Sequence, residues 1–316
     1  MAVTPQQKPV QAPAVQKFTR KKVDPNKEPF KFLIYGVEGI GKSTLASSMP
    51  KAVFIPVENP RLKVESYDQP KTLEQVYGIL DQLANDPEGA ETVVIDTLDA
   101  LEGLIWRSIS ARNGWSSIED AGFGKGYNVA LEEWRQFLVR CERVWARGMN
   151  VVFVAHSMVR AYQNPEGDNF DRYTMKLFET KEAKPGAMIR GWCDAVLFVN
   201  YETVLVKDKK KVTKAKETGA RLIHTEWRAA FDAKNRFNLP PTIPLSWDDL
   251  NAAITEGKRF PLVAVQGSIS EKLAQVGDTE IKAKAQAAFD AAGEDLDKLE
   301  RIDNRLSVIL AEQPAV

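Results

Sequence analysis

Eight consecutive residues have the types and spacing to hold a chain of phosphates: Gly36-Val37-Glu38-Gly39-Ile40-Gly41-Lys42-Ser43, followed by Thr44. Glycines so spaced let successive backbone N–H groups turn inward around phosphate oxygens, and a helix opening at the lysine adds its positive end. Lys42 has the length and charge to meet the β and γ phosphates of a nucleotide, and the Ser43 hydroxyl is a ligand for Mg²⁺. The expected nucleotide-binding residues are Gly36, Glu38, Gly39, Ile40, Gly41, Lys42, Ser43 and Thr44. A second Mg²⁺ ligand must come from a neighbouring strand, and Val93-Val94-Ile95-Asp96 places Asp96 at the end of an apolar run. Phe54-Ile55-Pro56-Val57-Glu58 brings a further carboxylate to the same edge. There Glu58 either polarises an attacking water or stands as a solvated strand-end acid.

These residues need strands that end together, and the pattern around them supplies such strands. Residues 30–35, 52–57, 92–96, 150–155 and 195–201 read as buried strands, separated by helical segments at 43–48, 72 onward and 127–147. Thr72 with Gln75 three residues on forms a capping box, and Leu73, Val76, Ile79, Leu80 and Leu83 make the apolar stripe behind it. Strands alternating with helices imply a mainly parallel sheet flanked by helices, and such sheets bind ligands at the C-terminal strand edge. Trp106, Trp134 and Trp145 sit within helical patterns and are expected in the core. His224 is expected to be structural.

Outside this unit, residues 1–28 form a Pro/Gln/Lys tail with a net charge of +4, expected to be disordered or to fold as an arm on a partner. Residues 157–192 form a stretch too long for an ordinary loop. Two β-rich runs at 203–207 and 220–225 flank a lysine-rich tip, which suggests a hairpin. The remainder, 246–316, reads as a helical region broken at Gly267, Gly277 and Gly293. The expected division is therefore 1–28, 29–245 and 246–316.

Composition narrows the function. Lysine plus arginine and aspartate plus glutamate both number 43, so a globally basic nucleic-acid binder is excluded and any such site is a local patch. Cys141 and Cys193 cannot build a disulfide framework or a CxxC metal site. No apolar run approaches membrane-spanning length and no secretory leader is evident, so a cytoplasmic location without membrane association is expected. Asp96 is followed by Thr97 and not by glutamate, no N-K-x-D motif marks a GTPase, and no L-S-G-G-Q marks a transporter ATPase.

Together the phosphate motif, Val57-Glu58 and Val93-Val94-Ile95-Asp96-Thr97-Leu98 resemble the RecA/DnaB/KaiC branch of P-loop ATPases. That branch carries its catalytic glutamate on the strand after the P-loop helix and a polar sensor at the end of a later strand. Val151-Val152-Phe153-Val154-Ala155-His156-Ser157 puts His156 where RecA-type proteins usually have glutamine; otherwise His156 is a plain strand-end histidine. Ala233-Lys234-Asn235-Arg236-Phe237 resembles the segment through which one subunit reaches its neighbour's ATP, which would make Lys234 and Arg236 cations acting in trans. Over residues 30–240 the chain is most similar to phage-encoded RecA-core single-strand annealing proteins. The resemblance implies an ATP- and Mg²⁺-dependent, DNA-stimulated ATPase of a RecA-like core. It would bind single-stranded DNA and promote annealing or recombination as a ring or filament, with a single-strand-binding protein as a further partner, in a bacterial host.

A single-strand site needs cations along the phosphates and aromatic faces for the bases. Residues 157–192 hold Arg160, Arg172, Lys176, Lys181, Lys184 and Arg190 interleaved with Tyr162, Phe170, Tyr173 and Phe178, at a net charge of +1. This stretch reads as a DNA-contacting element or as a lid or partner-binding loop. The tip at 207–216, with Lys209, Lys210 and Lys211, reads as a phosphate contact or as a solvated turn. The alternative function is a nucleotide-gated interaction module, such as a helicase loader or KaiC-like switch, without direct DNA binding.

Overall fold

The computed structural model of the chain describes residues 28–59, 62–165, 167–207 and 213–312. The expected tail therefore falls almost wholly outside the described residues, as do residues 208–212 of the lysine-rich tip, with Lys209, Lys210 and Lys211. Strand β1 (Lys31–Gly36) alternates Leu33 and Tyr35 toward one face with Phe32 and Ile34 toward the other, so both faces of the sheet must be covered. The chain continues through α1 (Lys42–Ser47), β2 (Ala52–Pro56), β3 (Glu65–Ser66), α2 (Leu73–Asn85), β4 (Thr92–Asp96) and α3 (Leu98–Asn113). A 3₁₀ turn (Ile118–Ala121) leads to α4 (Lys125–Ala146), β5 (Asn150–Tyr162), β6 (Phe170–Met175) and α5 (Pro185–Trp192). Then follow β7 (Ala195–Lys207), β8 (Thr213–His224), β9 (Thr242–Pro244), α6 (Trp247–Gln275), α7 (Thr279–Ala292) and α8 (Leu296–Glu312).

The strands lie in the order β3-β2-β4-β5-β1-β7-β8-β9, parallel from β3 to β7 and antiparallel beyond. This is the expected α/β architecture with a mainly parallel central sheet. Helices α2, α3, α4 and α5 cover one face, where Trp134, Phe137 and Phe153 are fully buried. Helix α1 and the first turns of α6 cover the other, through Leu45, Leu250 and Ile254. The Thr72 hydroxyl caps α2 by accepting from the Gln75 N–H, and the Gln75 side chain in turn accepts from the Lys71 N–H. Trp106 and Trp145 pack at the margin of the core, and His224 packs against the stacked pair Phe198 and Phe231. Cys141 and Cys193 are free, and burial pushes both thiols up.

Two expectations change, and the helix around Trp106 acquires its bounds. Residues 157–192 are not a long loop: β5 continues past Ala155 and pairs with β6 as an antiparallel hairpin, from Ser157 opposite Met175 to Tyr162 opposite Phe170, and α5 follows. Helix α3, between Asp96 and the 3₁₀ turn, packs Leu98, Leu101, Ile105 and Ile109 into the core. Gly267 does not break the C-terminal region, because α6 runs through it; Gly277 and Gly293 do separate helices. The later part of α6 joins α7 and α8 around Ile269, Leu273, Leu299 and Leu306, a hydrophobic cluster of its own. Among the described residues no helix is long and apolar enough to cross a membrane.

Candidate active site

Strand β1 ends at Gly36, level with His156 of β5 and Val199 of β7, so the loop 37–41 leaves the sheet at its C-terminal edge. Only glycine fits at 36, since a Cβ there would sit 2.0 Å from the Val199 carbonyl oxygen. Gly41 takes φ 113°, a left-handed backbone that turns the chain into α1. No side chain caps α1, which leaves its first N–H groups open to an anion. The Ile40 side chain is buried in the core, and Arg221 of β8 donates to the Ile40 carbonyl at 3.1 Å, so the loop is anchored from both sides.

Beside this loop lies a cavity of about 370 Å³, lined by Gly39, Gly41, Lys42, Ser43, Thr44, Glu58, Asp96, Thr97 and His156 and closed by Phe54, Pro56, Asn59, Leu62 and Val64. Lys42 is 5% exposed, and its ammonium donates to the carbonyls of Gly36 (3.1 Å) and Val37 (2.8 Å). Burial lowers its pKa, against the pull of Asp96, Asp99, Glu38 and Glu58. The Ser43 hydroxyl donates to Asp96 Oδ2 at 2.6 Å. Burial pushes the Asp96 carboxyl up, with the Ser43 hydrogen bond opposing. Open helix N–H groups, a buried ammonium and an adjacent hydroxyl–carboxylate pair fit a nucleotide with its Mg²⁺. Lys42 and the loop would hold the phosphates, and Ser43 and Asp96 the cation.

Glu58 reaches this site because its N–H donates to the Asp96 carbonyl at 3.1 Å, tying the end of β2 to the end of β4. Its carboxylate accepts from the Thr97 hydroxyl at 2.9 Å and lies 4.0 Å from His156 Nδ1. Thr97 also caps α3, and the Asp96–Thr97 peptide is cis. Asp99, in the first turn of α3, meets His156 Nδ1 at 2.8 Å. Burial alone would raise the Asp99 carboxyl, but the hydrogen bonds from His156 outweigh it and hold it low. Glu58, Asp99 and His156 thus bring three ligand-type atoms within 4.8 Å of one another. Thr97, Asp99 and Arg221 escaped the sequence reading. The visible signal was an acid in the first turn of whatever helix follows Asp96.

Other expected site residues do not gather here. Glu38 is exposed and faces Lys176 at 3.8 Å, a link between the loop and the hairpin exit. Arg172 is not a surface cation: it is 5% exposed, pairs with Asp232 at 2.8 Å and donates to the Arg228 carbonyl. Arg160 is held by Glu179 and the Leu177 carbonyl, and Arg190 by Asp232 at 3.5 Å. Lys184 is exposed at the start of α5. Lys234 donates to the carbonyls of Arg190, Gly191 and Cys193, closing the end of α5, and Arg236 lies 3.4 Å from Asp194. Lys234 pairs with Val196 and Asp194 with the Lys31 N–H, which places this segment at the opposite edge of the sheet from the cavity.

A family model described as an AAA domain (AAA_24) matches residues 28–237. This chain nevertheless carries Thr97, and no acid, directly after Asp96. Among solved structures, a KaiC-like protein from the hyperthermophilic archaeon Pyrococcus horikoshii OT3 is similar at 12% identity, covering 66% of this chain and 89% of that one, with a TM-score of 0.33. No curated protein matches the sequence.

Proposed function

The chain belongs to the AAA domain family and carries a P-loop ATPase core, and we propose that it uses ATP to bind single-stranded DNA and promote strand annealing or homologous recombination as a homo-oligomer. One observation carries this reading: β5 supplies His156 to the nucleotide cavity and continues without interruption into the hairpin. On that hairpin Tyr162 is 37% exposed, and beside it Trp227 is 54% exposed. Both rings face the Arg172 guanidinium, at 5.0 and 5.1 Å. Tyr162 also stacks on Phe170 at 5.0 Å, so Trp227 is the more open of the two rings, and an exposed aromatic beside a fixed arginine is a surface on which bases stack without sequence preference.

In the ATPase step Lys42 and the loop N–H groups orient the phosphates, and Glu58 takes the proton of the attacking water. Mg²⁺, when bound by Ser43 and Asp96, supplies charge neutralisation at the phosphoryl oxygens. Arg236, exposed and loosely paired, is the cation with freedom to meet a neighbouring subunit's nucleotide. Lys234 is committed to its own helix. Lys184 and Lys176, both exposed, add positive charge near the hairpin.

Fluorescence anisotropy of a labelled oligo-dT, read with a non-hydrolysable ATP analogue, with ADP and without nucleotide at two salt concentrations, tests the proposal. Binding is expected with the analogue and weakens as salt rises. Absence of binding in every nucleotide state overturns the DNA reading and leaves a nucleotide-gated protein-binding module.

A further inference from the structure

His156 is delivered to the cavity by β5, but its ring is aimed by α3. One Asp99 carboxylate grips the residue twice: Oδ1 accepts from the His156 backbone N–H at 3.0 Å and Oδ2 meets ring Nδ1 at 2.8 Å. Both partners are largely withdrawn from solvent, with side-chain exposures of 12% for Asp99 and 18% for His156. Asp99 is itself set by the Thr97 cap of α3, immediately after Asp96. Thus the strand that ends in the expected Mg²⁺ ligand also begins the helix that orients the histidine.

The consequence follows from the two nitrogens of imidazole. An ionised carboxylate only accepts, so Nδ1 carries a proton and the tautomer is fixed. Nε2 has no hydrogen-bond partner among the described residues, and the ring lines the cavity. In a neutral ring so held, Nε2 offers a lone pair, which repels a phosphate oxygen. Only the doubly protonated ring offers an N–H. Resting on the nucleotide-binding reading above, we propose that Asp99 is a positioning residue that holds His156 with Nε2 toward the terminal phosphate of a bound nucleoside triphosphate, so that recognising that phosphate takes up one proton from solvent. Nucleoside diphosphate, lacking the group, takes up none.

The surroundings support this. Asp99 from α3, Glu58 beyond β2 and Asp96 at the end of β4 favour the charged ring, and Lys42 from α1 opposes it. The hydrogen bond to Asp99 raises the His156 pKa above the ordinary imidazole value, against burial.

The chain has 2 histidines, so imidazole NMR titration of the full-length protein resolves His156 with His224 as internal reference. Spectra of free protein, of the Mg²⁺–ADP form and of the form with Mg²⁺ and a non-hydrolysable ATP analogue are compared. The expected result is an Nδ1-protonated His156 with a raised inflection, raised further by the analogue and not by ADP. Asp99→Asn should lower the free-protein inflection by about one pH unit, whereas Asp99→Glu should restore part of it. Above the inflection, affinity for the analogue should fall by up to about tenfold per pH unit while ADP affinity stays flat. His156→Gln, which keeps an uncharged donor, should bind the analogue independently of pH. An inflection unmoved by Asp99→Asn, or moved equally by the analogue and ADP, overturns the proposal while the nucleotide reading stands. A chain that binds neither nucleotide overturns both.

Discussion

Lys42 and Lys234 both end on main-chain carbonyls: Lys42 on Gly36 and Val37, Lys234 on Arg190, Gly191 and Cys193. Burial lowers the pKa of each. The difference lies in what else the ammonium can reach. Lys42 lines a cavity whose other walls are an open helix start and the Ser43–Asp96 pair, so its carbonyl partners can be exchanged for phosphate oxygens. Lys234 closes the C-terminal turn of α5, where unpaired carbonyls have no intrahelical donor, and nothing stands by to replace it. The same side chain with the same kind of partner lines a cavity at one edge of the sheet and caps a helix at the other.

The sharpest test of this contrast is Lys42→Ala, which should weaken nucleotide binding by about 100-fold or more, as loss of a charge-assisted contact does, with little change in the unfolding midpoint. Lys234→Met should do the reverse. It strands carbonyls at the end of α5 and should cost about 2 kcal/mol in denaturant unfolding, with nucleotide affinity unchanged. If Lys234→Met is fully stable and yet abolishes hydrolysis in the assembled protein, the contrast breaks and Lys234 acts in trans. Next in size, Trp227→Ala or Tyr162→Ala should weaken oligo-dT binding by about tenfold, the order of one stacked base, without altering nucleotide affinity. The smallest stability effect is expected for Arg236→Ala, within about 0.5 kcal/mol, because its pairing with Asp194 is exposed. A loss of hydrolysis in that same variant would make Arg236 the cation acting between subunits.

Much of the active edge was legible because it is local. The loop 36–43 names its own chemistry, and the apolar runs ending in Glu58, Asp96 and His156 can only be adjacent strands of one sheet. The errors concern charges whose partners are far along the chain. Arg172 in an alternating stretch looks like a surface cation; its burial depends on Asp232, and no local pattern announces that pairing. Helix α3 showed as a helical pattern around Trp106 but without bounds, because its inward positions include Glu102 and Ser110, which break the apolar stripe. Burial pushes the Glu102 carboxyl up to about 7, and both its oxygens accept from the Phe178 N–H, so a residue that reads as solvated fastens α3 to the chain leaving β6. Asp99 showed only as an acid soon after Asp96, since its meaning lies in the end of a strand 57 residues away.

Strand β5 has a mechanical consequence. Its first residues are clamped between β4 and β1, and its last six project past His156 as a beam of about 20 Å. Arg160 and Arg172 brace that beam near its tip against Glu179 and Asp232. A braced beam turns as one piece and does not fold at a hinge. A tilt of about 5° at its root would carry Tyr162 roughly 2 Å at this length, which is more than half the spacing between stacked bases. The hairpin is thus rooted at the cavity that His156 lines, and its stiffness sets how much of any movement at the root arrives at the tip.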